Sequence, residues 1–232
     1  MNHRWLLPGL SALVFLIVAC VPTPQIRNDN LLHDTSLITG EPCQAPCWNN
    51  IVPGETSWRD AQTIIEDNTA FTNFDVQTDS NSDTIQLAWQ EGDDGDVCCV
   101  IASDSGDTVD RILLQFAPEM TMGDIIDAIG EPNYVTASDV SADQAVMILI
   151  YEDLSTVVYA FVAGAETGVL SESSEIVGAL YLKPEDAALL LQTSFLHEWE
   201  GLQPYSVYTP DEDVAEFEIT PSVTLTPTPD DN

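Results

Sequence analysis

Met120-Thr121-Met122-Gly123-Asp124-Ile125-Ile126-Asp127-Ala128-Ile129-Gly130-Glu131-Pro132 reads as a helix with its own start and stop. Thr121 can accept a hydrogen bond from a free backbone N–H of the first turn. Asp124 suits the positive end of the helix dipole. Ile125 and Ile129 fall four and eight residues after Thr121 and share one face. Gly130 favours a left-handed stop, and Pro132 blocks continuation. Working outward, Pro53-Gly54-Glu55-Thr56 opens a similar stretch 65 residues before Pro118-Glu119-Met120-Thr121. A third start, Leu182-Lys183-Pro184-Glu185-Asp186, follows 66 residues after the second. A near-constant step points to duplicated supersecondary units.

Runs of strand character follow each of the first two helices. In the first unit they are Phe71–Gln77, Thr84–Gln90, Val97–Ser103 and Thr108–Phe116, separated by turns such as Gly92-Asp93-Asp94-Gly95-Asp96. In the second they are Asn133–Thr136, Ala145–Glu152, Ser155–Val162 and Glu175–Leu182. Their β-branched and aromatic content favours strand over helix. The expected fold class is α+β, with two tandem units, each a helix followed by about four antiparallel strands. The first unit spans 43–117. The second spans 118–208 and carries a C-terminal helix from Pro184. Residues 20–42 read as a flexible tether opened by Val21-Pro22-Thr23-Pro24. Residues 209–232 read as a disordered acidic Pro/Thr tail.

The run from Met120 to Pro132 resembles the helix motif of SmpA/OmlA (BamE-like) lipoproteins, in which Met-Thr precedes apolar residues at helical spacing and a Gly-x-Pro ending. The glycine that usually precedes Met-Thr is Glu119 here, and the first unit lacks the Gly-x-Pro ending. Tandem units of this kind also resemble β-lactamase-inhibitor-like proteins, and that likeness implies protein binding on a concave sheet face. Cys43–Thr56 is similar to uncharacterised acidic lipoproteins of filamentous bacteria. None of these likenesses carries over a catalytic residue.

The N-terminus supplies an address. A basic start at His3-Arg4, an apolar run from Trp5 and the ending Ile17-Val18-Ala19-Cys20 describe a secretory signal. It resembles a bacterial lipoprotein signal, with 1–19 removed and Cys20 lipidated. From Trp5 to Ala19 the run is shorter than the roughly 20 apolar residues that span a bilayer, and Pro8 interrupts it. An uncleaved anchor or ordinary secretion is the other reading. A lone acyl chain holds weakly, and the lipoprotein resemblance implies a diacylglycerol on the sulfur, usually with an N-acyl group. The expected location is extracytoplasmic, lipid-anchored to the cell membrane, or to an outer membrane if the host has one.

Formal net charge is −34, with 39 acidic residues against five Lys and Arg. That balance argues against nucleic acid, whose phosphates need clustered cations. It also argues against a body lying flat on anionic lipid. Four cysteines remain beside Cys20. A local Cys43–Cys47 bridge is the first choice, and a link from that loop to Cys98 or Cys99 is the alternative. Adjacent strand residues point to opposite faces, which works against Cys98 and Cys99 sharing one partner region.

Enzymatic signals are thin. His197-Glu198-Trp199-Glu200-Gly201 lacks the second histidine of a zinc protease motif. Asp79-Ser80-Asn81-Ser82-Asp83 places oxygen ligands at alternate positions, as an EF-type loop begins. Thr84 and Gln90 then stand where that loop needs Gly and Glu, and plain turns favour the same residues. Asp79, Asp83, Asp93, Asp94 and Asp96 are the weak calcium candidates, and no other cofactor is expected. The functional expectation is a non-enzymatic protein-binding or scaffold module of the envelope. The alternatives are a carboxylate-dependent hydrolase, marked by two acids converging near Trp89 or Trp199, and a surface protein binding calcium or carbohydrate weakly.

Overall fold

Two short capping interactions begin the helices that cover the core. The computed structural model describes residues 26–79, 82–164 and 167–209. Thr121 Oγ1 accepts from Asp124 N–H at 3.3 Å while Asp124 Oδ2 accepts from Thr121 N–H at 2.9 Å. This reciprocal pair starts helix α3 (Met122–Ile129). The helix ends at Gly130, φ 86°, whose N–H donates to Ile126 O. In α2 (Trp58–Glu66) the cap falls one residue later than expected. Ser57 accepts from Asp60 N–H, whereas the Thr56 hydroxyl accepts from Val52 N–H in the preceding loop. Trp58, Ala61 and Ile65 face the core from this helix. α1 (Ser36–Thr39) is a single turn, and α4 (Pro184–Thr193) starts with proline in its first turn.

The strands are β1 (Phe71–Thr78), β2 (Ile85–Glu91), β3 (Val97–Ser103), β4 (Arg111–Gln115), β5 (Tyr134–Ser141), β6 (Gln144–Tyr151), β7 (Thr156–Ala163), β8 (Ile176–Leu182) and β9 (His197–Glu198). They form one antiparallel sheet in the order β1-β2-β3-β4-β8-β7-β6-β5-β9. The expectation of two tandem helix-plus-four-strand units is therefore corrected. A single nine-stranded sheet runs through the described chain, because β4 pairs with β8 over the register Arg111↔Leu182 to Gln115↔Gly178. Left apart, each strand would present a row of unpaired backbone donors and acceptors. Joined, they satisfy those groups and bury apolar side chains. Gly178 permits the close approach, since a Cβ there would lie 2.7 Å from Leu114 O.

One face of the sheet carries the main core. Leu87, Trp89, Cys99, Ile101, Ile112, Leu114, Met147, Leu149, Val158 and Tyr181 are all buried in it. α2, α3 and the N-terminal segment close over these residues. Residues 26–42, expected as a tether, are part of the packed body. Leu31, Leu32 and Leu37 are buried, and Leu32 bridges Phe116 in parallel. Trp48 stacks on Trp89 at 5.8 Å and on Phe71 at 6.1 Å, and its indole N–H donates to Asp34. On the opposite face α4 covers only part of the sheet. Its Ala187, Leu190 and Leu191 pack with Leu196 against Ile150, Val157 and Leu182.

A buried ion pair clamps the β4–β8 junction. Lys183 Nζ donates to Asp110 Oδ1 at 2.8 Å, and Asp104 N–H donates to Asp110 Oδ2 at 2.6 Å. Burial by itself would raise the Asp110 carboxyl. The Asp104 hydrogen bond and the Lys183 ammonium outweigh it and hold the group below the ordinary value of 3.8. Lys183 is raised, first by its hydrogen bond to Asp110. A lowered carboxyl contributes stability above pH 3.8 that is lost as pH falls through its folded value. A raised ammonium contributes stability below pH 10.5 that is lost as pH rises through its folded value. Asp110→Asn should cost about 1–3 kcal/mol near neutrality, less than for a fully enclosed pair because Lys183 is partly exposed. In denaturant melts the gap between the two proteins should close below about pH 4 and above about pH 10.5. A gap that persists undiminished below about pH 4 and above about pH 10.5 would contradict the clamp.

Candidate binding surface

The two edges of the sheet differ. At one end β9 pairs with Tyr134 and Val135 of β5, and Ala137 N–H donates to Tyr208 O farther along the same edge. At the other end β1 has β2 as its only ladder partner among the described strands. From Asn73 to Thr78 its residues are exposed, including Phe74 at 37% and Val76 at 46%. A register shift between Thr72 and Asp75, with Asn73 at φ 54°, kinks the first half of the strand. Such a bulge blunts pairing locally. The second half, Asp75–Thr78, continues in regular register with Ala88–Ile85 of β2. Asp75 is the only charged residue within β1.

A groove of about 560 Å³ lies on the less-covered face of the sheet. Leu113, Val146, Tyr159 and Val177 contribute from four strands, and Ile26 and Leu31 from the N-terminal segment. Burial pushes the Tyr159 phenol up, so it stays neutral. The one carboxylate in the lining, Asp96, accepts from Asn28 Nδ2 at 2.7 Å. Beside the groove Arg27 makes a two-point ion pair with Glu175 and lies 5.5 Å from the Phe161 ring centre.

The residues singled out from sequence are scattered over this frame. Cys20 lies outside the described residues. The Cys43 and Cys47 sulfurs stand 2.06 Å apart in the loop before Trp48. Cys98 and Cys99 are also at bonding distance, 2.22 Å, and they pair with each other. That neighbour pair was not among the expected links, which joined Cys98 or Cys99 only to the Cys43–Cys47 loop. The alternative link between the loop and β3 is not formed.

Among the calcium candidates, Asp79 and Asp83 flank the β1–β2 turn, which Asp79 closes by donating its N–H to Thr84 O. Asp93, Asp94 and Asp96 lie in the β2–β3 turn, where the Gln90 side chain donates to the Gly92 and Asp93 carbonyls. Among the described residues no three His, Cys, Asp or Glu side chains are grouped to hold a metal ion. Trp89 is fully buried in the aromatic stack, and Trp199 lies flat on Tyr208 at 6.1 Å. His197 Nε2 lies 3.1 Å from Thr209 O, and His33 contacts Glu91 at 2.9 Å.

No family model, curated protein or solved structure matches the chain. The likeness of residues 120–132 to the SmpA/OmlA helix therefore gains nothing from comparison. Among the described residues no helix is long and apolar enough to cross a membrane.

Neither the edge nor the groove was visible in sequence. Their signal lay in the exposed apolar pair Phe74 and Val76, and in Leu113 between the core residues Ile112 and Leu114. Both surfaces depend on the helices that hold the opposite face in place. Thr121→Ala removes one side of the α3 capping box and should lower stability by about 1 kcal/mol, read as a shift of the urea midpoint at unchanged slope. No shift would mean that the box does not hold α3.

Proposed function

We propose that the protein is a lipid-anchored, extracytoplasmic binding module that engages a protein partner along the open edge of β1. The reading joins two independent supports. The first is the run from Met1 to Cys20, with its likeness to a lipoprotein signal, which argues for export and attachment through Cys20. The second, which carries the proposal, is the asymmetry of the sheet edges. The β5 edge is partnered by β9 and Tyr208 from Tyr134 to Ala137, while β1 leaves backbone groups and two large apolar side chains at the surface. A partner strand added there gains main-chain hydrogen bonds, and the exposed Phe74 and Val76 offer apolar contacts to its side chains. Long-range repulsion from a chain of charge −34 disfavours acidic partners and favours neutral or basic ones.

The test is capture from native membranes with the full chain as bait, comparing wild type with the double variant Phe74→Asp, Val76→Asp. Both positions are exposed, so the variant should melt within a few degrees of wild type. The proposal predicts a discrete partner retained by wild type and weakened at least tenfold by the double variant. A partner bound equally by both proteins would place recognition elsewhere. Mass spectrometry of the same preparation reads the anchor separately, as acyl mass on a mature N-terminal Cys20.

A further inference from the structure

The apolar groove calls for an occupant of its own, because its place in the molecule differs from that of the β1 edge. Its volume of about 560 Å³ falls within the range of small-molecule sites. Its walls are mainly aliphatic and aromatic, with Gln115 and the hydrogen-bonded Asn28–Asp96 pair as the polar members. The nearest cation, Arg27, is committed to Glu175. A phosphate-bearing headgroup would therefore find no free positive partner, and an anion entering the groove would lose hydration without compensation. An uncharged hydrocarbon chain fits these walls.

Chain geometry identifies the source. Ile26 forms part of the groove wall, and Cys20 precedes it by only six residues. Six extended residues reach at most about 20 Å. A lipid joined to Cys20 thus starts within reach of the groove, and its alkyl chain can fold back along that distance.

We propose that the groove receives one acyl chain carried by Cys20 of the same molecule and shields it from water when that chain is not in the bilayer. The inference rests on the lipid-anchor reading and adds a second resting place for the lipid. An acyl chain tethered covalently through Cys20 needs no headgroup recognition, which matches a wall without a free cation. The occupied groove would also bring the N-terminal segment and strands β4, β6, β7 and β8 into one apolar cluster.

The experiment feeds producing cells a diazirine-bearing palmitate, purifies the full-length processed protein from membranes, irradiates it and maps the cross-links by mass spectrometry. The expected result is label on Cys20 with intramolecular cross-links to peptides carrying Leu113, Val146 or Tyr159. Val146→Trp, which fills the groove, should cut those cross-links at least fivefold with label on Cys20 unchanged. Leu113→Trp serves the same purpose from β4 if the first variant fails to fold. Label on Cys20 with cross-links only to bilayer lipid overturns the proposal and leaves the anchor reading intact. So do cross-links that join two isotopically distinct copies, or that persist undiminished in a folded Trp variant. Palmitate absent from Cys20 overturns the anchor reading and this proposal together.

Discussion

The pairing of β4 with β8 is the constraint on which the rest of the structure depends. Five residues of each strand face one another at the middle of the sheet, and the chain reaches that middle twice, from opposite edges. Ile112 and Leu114 point into the main core, while Leu180 packs in the smaller cluster on the other face and Leu113 stands half-buried beside it. Gly178 lets the two backbones approach, and the Asp110–Lys183 pair closes the opposite end of the ladder. The N-terminal strap leans on the same place, since Leu32 bridges Phe116 directly after β4. With the two strands parted, the strap, the groove and the seat of α4 would all lose a wall.

Much of the local structure was legible in the sequence, and the assembly was not. Strand character in Val97–Ser103 and the Thr121–Gly130 helix are local facts, written in β-branched runs and capping chemistry. The 65-residue step located the helix starts but said nothing about which edges would meet. It suggested separate units, and the structure has one sheet. A hint existed in Ile112-Leu113-Leu114 and in Val177–Leu182, which are apolar without strict alternation. That is the pattern of strands buried on both faces. The N-terminal segment was misread for a different reason. Leu31, Leu32 and Leu37 have no helical or strand period, so an irregular segment that packs by single side chains looks like a tether. At Cys98-Cys99, strand alternation bore only on a shared partner elsewhere, and the neighbour pair that the structure contains was not expected.

The acidity of the chain acquires a spatial meaning in the fold. Arg27, Arg111 and Lys183 are paired with Glu175, Asp104 and Asp110, so none of these three is left to attract an anion. The lining of the groove is mostly apolar, with Asn28, Asp96 and Gln115 as its polar members, and β1 carries a single charge. An acidic body with a largely apolar groove and one open edge repels polyanions, which fits the proposed binding of strands and hydrocarbon. This division of the surface, more than any one side chain, underlies the proposed binding role.

The most direct measurement is native-state hydrogen exchange at the β4 and β8 amides that face each other. A continuous sheet predicts that these amides exchange only through global unfolding, with protection matching that of the β6–β7 ladder. Exchange as fast as that of the exposed residues of β1 would contradict the account, because two separable sheets would then meet there without a shared ladder.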